Sequence, residues 1–178
     1  MPRVTTAFAA AIALYMPLGR PLLIGLTPAI GIGAGLLTTQ AAYAQSANDW
    51  FDSGVAKWDR GDYQGAIADW TKAIEMYPRY AVAYYNRGLA KRNLKDYQGA
   101  IADYTKAIEF NPQDTDAYLN RGVAKRNLKD YKGAIADYTK AIELNPKFYQ
   151  AYTNRGIALE IVGDLKDACR DWKKAVDL

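Results

Sequence analysis

The chain has 178 residues, 50% hydrophobic and 24% charged, a balance that excludes a disordered or low-complexity protein. It has no histidine and one cysteine, which removes Ser-His-Asp and Cys-His catalysis, His-ligated metals, Cys-based zinc sites and intrachain disulfides. All acids lie beyond residue 48, so the formal net charge of +4 and the pI near 9.0 overstate how basic the rest is, and a nucleic-acid partner is not expected.

Residues 1–48 differ in kind from the rest of the chain. Val4–Gly19 is uncharged, Arg20 interrupts, and Pro21–Asn48 is again uncharged. Ala42-Tyr43-Ala44 places small residues at −3 and −1 of a cleavage site before Gln45. Residues 1–44 are therefore expected to be a secretory signal, cut after Ala44, that sends the rest to a periplasm, lumen or extracellular space. The alternative is an uncleaved anchor, since about 20 apolar residues can span a bilayer. In both cases Arg20 stays inside. A hairpin of both apolar runs would instead return the remainder to the cytoplasm. Membrane contact is expected only through residues 1–44, if uncleaved.

Residues 47–178 are one unit written four times with a period of 34: 47–80, 81–114, 115–148 and a shorter 149–178. The second and third units agree at 26 of 34 positions. Each unit reads as two helices. In the second, apolar spacing at Tyr85, Leu89 and Ala90 predicts a helix over Val82–Leu94, and Ala100, Ile101, Tyr104, Ala107 and Ile108 predict another over Gln98–Phe110. Lys95-Asp96 separates them, where other units have Gly61-Asp62 and Gly163-Asp164, the residues of a helix stop and the next helix cap. Asn111-Pro112 ends the second helix.

Small residues recur where helices must approach. Gly54, Gly88, Gly122 and Gly156 lie in the first helices, and Ala66, Ala100, Ala134 and Ala168 are expected to face them. Ala73, Ala107, Ala141 and Ala175 are expected against the next unit, with Trp70, Tyr104, Tyr138 and Trp172 as alternating large residues. Asp69, Asp103, Asp137 and Asp171 read as the solvated face of the second helices. Cys169, at the place of Ile67, Ile101 and Ile135, reads as a small core residue.

This pattern resembles the tetratricopeptide repeat. The signature falls on Gly88, Ala100, Tyr104, Ala107 and Pro112, and recurs in register in the other units, the fourth stopping before its proline. It covers essentially all of residues 47–178 and resembles the Asn-Arg-Gly variety of bacterial proteins. The resemblance implies an all-α, right-handed superhelical solenoid of four helix–turn–helix repeats after an apolar leader. It implies a non-catalytic adaptor without cofactor or metal that binds a protein or peptide partner on its concave face.

The groove positions that the resemblance implies are Phe51, Val55 and Trp58; Tyr85, Asn86, Leu89 and Arg92; Asn120, Val123 and Arg126; and Asn154 and Ile157. Amides can hold a peptide backbone and arginines can fork onto carboxylates, so the centre is expected to take acidic and apolar side chains. The asparagines can equally serve only to bond neighbouring helices. A clamp for a partner's terminal carboxylate, known in the family, is not expected, because its positions hold Phe51, Val55, Asn86, Asp116 and Asn120, of which only Asn86 fits. The fourth repeat is expected to leave Val176 and Leu178 partly open, a second contact surface for self-association or for a partner. The alternative function is a membrane-anchored structural subunit that uses the solenoid as a spacer.

Overall fold

The computed structural model describes residues 46–178. The expected leader and the cleavage residues Ala42, Ala44 and Gln45 lie outside the described residues. The described residues form α1 (Ala47–Asp59), α2 (Tyr63–Met76), α3 (Ala81–Asn93), α4 (Tyr97–Phe110), α5 (Thr115–Asn127), α6 (Tyr131–Leu144), α7 (Tyr149–Ile161) and α8 (Leu165–Val176). Each helix packs on its neighbours in sequence, and α3, α5 and α7 also touch in series. The odd helices thus form one row and the even helices another, an all-α solenoid of helix pairs. Among the described residues no helix is long and apolar enough to cross a membrane.

Local chemistry sets the boundaries. Ser46 and Asp49 cap α1 reciprocally. Asp62, Asp96, Asp130 and Asp164 cap the even helices, each accepting from the backbone N–H three residues on. Because Asp96 caps directly before Tyr97, α4 starts one residue earlier than the apolar spacing indicates, and α3 spans Ala81–Asn93 rather than Val82–Leu94. The stop after each odd helix needs a left-handed residue. Gly61 (φ 77°) and Gly163 (φ 89°) supply it freely, whereas Lys95 and Lys129 adopt it at φ 64° despite their Cβ atoms.

The core is built from small residues and one large ring per pair. Trp70, Tyr104 and Tyr138 are 0–1% exposed. They, and not the alanines, lie over the first-helix glycines: a Cβ at Gly88 or Gly122 would meet the Tyr104 or Tyr138 ring at 2.7 or 2.6 Å. Ala66, Ala100 and Ala134 pack beside the rings, together with Ala90, Ala124 and Ala158 from the following pair. Each core cluster therefore ties one repeat to the next.

Two expectations about the even helices are corrected. Asp69, Asp103, Asp137 and Asp171 are 2–4% exposed, not solvated. In the last three pairs an arginine grips the carboxylate with two bonds: Arg87 to Asp103 (2.6 and 2.9 Å), Arg121 to Asp137 (2.7 and 3.0 Å) and Arg155 to Asp171 (2.7 and 2.8 Å). The same guanidiniums reach back to Thr71, Thr105 and Thr139 of the preceding pair. Lys91 and Lys125 add a second cation to Asp103 and Asp137. Burial is permitted because every carboxylate is paired. Cys169 is exposed, not in the core. It stands where Ile67 meets a cluster completed by the next pair, and no helix comes after α8 among the described residues.

Candidate partner-binding groove

The groove positions all lie on odd helices. Phe51, Val55 and Trp58 are half-buried on α1, packed against the Ala66, Trp70 and Ala90 cluster. Tyr85 and Leu89 of α3 pack around Tyr104, and Val123 of α5 around Tyr138. Ile157 is half-buried on α7. The structure thus places the apolar members along the row of odd helices, those of α1, α3 and α5 seated on the ring of their own helix pair.

The polar members divide. Arg92 donates to the Asn120 carbonyl oxygen, and the Asn120 amide donates to the Tyr85 hydroxyl (3.0 Å) and the Asp116 carbonyl (2.9 Å). Asn120 is 9% exposed, with both amide hydrogens donated and its oxygen accepting from Arg92. Arg126 repeats the link to Asn154 at 3.2 Å, and the Asn154 amide donates to the Gln150 carbonyl at 2.8 Å. The arginine bonds cross from one odd helix to the next. Asn86, the counterpart in α3, faces a pocket of about 280 Å³ lined with Val55, Trp58, Asp59, Trp70 and Leu89.

That pocket has fixed walls. Trp58 stands edge-on to Tyr63 with ring centroids 5.0 Å apart and lies 6.2 Å from the Trp70 ring. The Trp70 indole N–H donates to the Phe51 carbonyl at 3.1 Å. Two lining residues are absent from the groove positions: Trp70, read from the repeat as a core ring, and Asp59, which repeat-position reasoning omits altogether. Asp59 is four residues beyond Val55, about one helical turn, so helical periodicity alone places it beside that residue.

Burial governs the titrating groups nearby. It pushes the Tyr85 hydroxyl up to about 12, with Asp116 and Asp114 adding to the effect. It likewise pushes the Tyr138 hydroxyl up to about 12, and that of Tyr104 in the same direction. The Tyr104 and Tyr138 hydroxyls are buried with no hydrogen-bond partner among the described residues. Burial also raises the Asp69 carboxyl, but Lys57 and Ser53, both 2.6 Å away, outweigh it and the net direction is down. The described residues contain no group of metal-ligating side chains. What the row offers chemically is shape, aromatic faces, amides and isolated charges. At the far end Val176 and Leu178 are 85% and 46% exposed.

Comparison with known proteins agrees with this geometry. A family model described as tetratricopeptide repeat matches residues 81–114 and 115–148, a second of the same description matches 137–170, and one described as TPR repeat matches 54–94. Among solved structures, a crystal structure of MamA is 28% identical with a TM-score of 0.74, covering 79% of this chain and 82% of that one. Another MamA crystal structure is 30% identical with a TM-score of 0.71, covering 74% and 72%. The first TPR of Spaghetti (RPAP3), bound to the HSP90 peptide SRMEEVD, is 29% identical with a TM-score of 0.64, covering 66% of this chain and 94% of that one. No curated protein matches the sequence.

Proposed function

Because the chain belongs to the tetratricopeptide repeat family, we propose that it is a non-catalytic adaptor that holds an extended or helical segment of a partner protein along the inner row of its odd helices. The pocket carries this reading. Four of its six lining residues, Val55, Trp58, Asn86 and Leu89, are groove positions by repeat register alone, and the structure gathers them around an open, mostly apolar cavity. A peptide held by a similar domain, that of Spaghetti (RPAP3), supports the mode of binding. It does not carry over the peptide's chemistry, since the carboxylate-clamp positions here hold Phe51, Val55 and Asp116. Arg92 and Arg126 use one donor each in the described bonds to Asn120 and Asn154, so each guanidinium keeps donors for a carboxylate of the segment.

Selection of a displayed random-peptide library on the full chain tests the adaptor. Selected peptides are expected to weaken at least about tenfold on Leu89→Gln and to bind normally to Lys140→Ala, on α6, with melting curves showing both variants folded. Failure to select any binder, or equal loss on both variants, overturns the reading. The second part of the proposal is export, supported by Ala42-Tyr43-Ala44. Protein isolated from its own cells should then begin at Gln45 by intact mass; an undiminished mass contradicts cleavage.

A further inference from the structure

The first repeat departs from the others on the groove side of its first helix. Where α3, α5 and α7 carry Asn86, Asn120 and Asn154, α1 carries Asp52. Where α3 and α5 carry Asn93 and Asn127, α1 carries Asp59. Asp52, Val55 and Asp59 are three and four residues apart and share one helix face. In a chain whose central repeats are near copies, two amides replaced by carboxylates on one face give that end of the groove a charge that the centre lacks.

Asp59 lines the pocket and is its one charged lining residue. Ion pairs among the described residues engage Asp69, Asp103, Asp137, Asp167, Asp171, Glu109 and Glu143, and none engages Asp59. Around it stand the two indoles, held by Tyr63 and by the Phe51 carbonyl, then Val55 and Leu89, and the Asn86 amide. An indole face attracts a cation, a carboxylate accepts a fork of N–H donors, and aliphatic walls take a methylene stem. The molecule already uses the first of these pairings elsewhere: the Lys72 ammonium lies 3.7 Å from the Trp50 ring centre. At about 280 Å³ the pocket sits at the lower edge of the range of about 300–1,000 Å³ for small-molecule sites, which suits one side chain.

We propose that the pocket between the first and second repeats takes a basic side chain of the partner segment, arginine in preference to lysine, with its stem against Val55 and Leu89 and its head against Trp58 and Asp59. The proposal rests on the adaptor reading and adds the partner's chemistry. It also gives the segment a direction, with its basic residue at the first repeat and any acidic residues toward Arg92 and Arg126.

The test uses the peptides selected on the full chain and a double-mutant cycle. The peptides are expected to share an arginine or lysine at one fixed position. Replacing that residue by glutamine should weaken binding to the wild type at least about tenfold, and to Asp59→Asn no more than about twofold. Lysine in place of arginine should bind more weakly than arginine. Peptides that bind the groove with an apolar or acidic residue at the fixed position, or a glutamine replacement that costs the same on both proteins, overturn this inference and leave the adaptor standing. Failure to select any peptide overturns both.

Discussion

Asn86, Asn120 and Asn154 occupy one position in three successive odd helices, and the groove uses them in two ways. In the centre, Asn120 and Asn154 accept from the preceding repeat's arginine and donate back to their own helix. At the first-repeat end, Asn86 lines an open pocket. The difference originates in the first repeat. Position for position, Trp58 replaces Arg92, so no guanidinium reaches forward from α1 to Asn86. A repeat protein can thus reuse one side chain as cross-link or as binding surface by changing its neighbour in the adjacent repeat.

The even side shows the same contrast and offers the largest effect. In the third repeat Asp137 is held by Arg121 and Lys125, whereas in the first Asp69 has, among the described residues, Ser53 and Lys57. Arg121→Ala is expected to lose about 3 kcal/mol in urea unfolding, because it removes two charged bonds to a buried carboxylate, leaving it to Lys125, and cuts the tie to Thr105. Lys57→Ala should lose less, about 1 kcal/mol, because Ser53 still donates to Asp69 and the site vacated by the 29%-exposed lysine admits water to the carboxylate. Equal losses would break the comparison.

The rings come next. Trp70→Phe should cost about 2 kcal/mol, since it removes the bond to the Phe51 carbonyl and leaves a void. Tyr138→Phe should be neutral or gain up to about 1 kcal/mol at neutral pH, because its buried hydroxyl has no partner among the described residues. The same substitution should change the alkaline limb. The folded Tyr138 hydroxyl titrates near 12, above its unfolded value of about 10, so the folded state keeps the proton and stability falls as pH rises from about 10 to 12. Tyr138→Phe should lessen that fall by roughly 2 kcal/mol in denaturant melts. The smallest effect belongs to the turns. Lys129→Gly should gain about 0.5–1 kcal/mol, as φ 64° suits glycine, while Gly61→Lys should lose a similar amount.

The period of 34 and the helix pairs were legible because near-identical units repeat one hydrophobic pattern four times. The buried aspartates were not. A carboxylate recurring on a helix looks solvated until its partner is known, and the partner sits sixteen residues earlier on the paired helix. That offset, shared by Arg87–Asp103, Arg121–Asp137 and Arg155–Asp171, was the available signal. The ring, and not the alanine, covers each glycine because a Trp or Tyr side chain spans the space between paired helices. Asp59 was missed for a different reason. Groove positions taken from the family's register stop one residue short of it, although the helix face does not. Cys169 shows a limit of reading by repeat position: its counterparts Ile67, Ile101 and Ile135 are half-buried because another pair comes after them.

Under the proposed function, Asn86 contributes to binding and Asn120 to bracing. This division is tested most directly by measuring peptide affinity and melting temperature together for Asn86→Ala and Asn120→Ala. Asn86→Ala should weaken a selected peptide about tenfold and leave the melting temperature within about a degree. Asn120→Ala should lower the melting temperature by about 4–8 °C and change affinity less than about threefold. The reverse pattern, with Asn120 controlling affinity and Asn86 controlling stability, would contradict it.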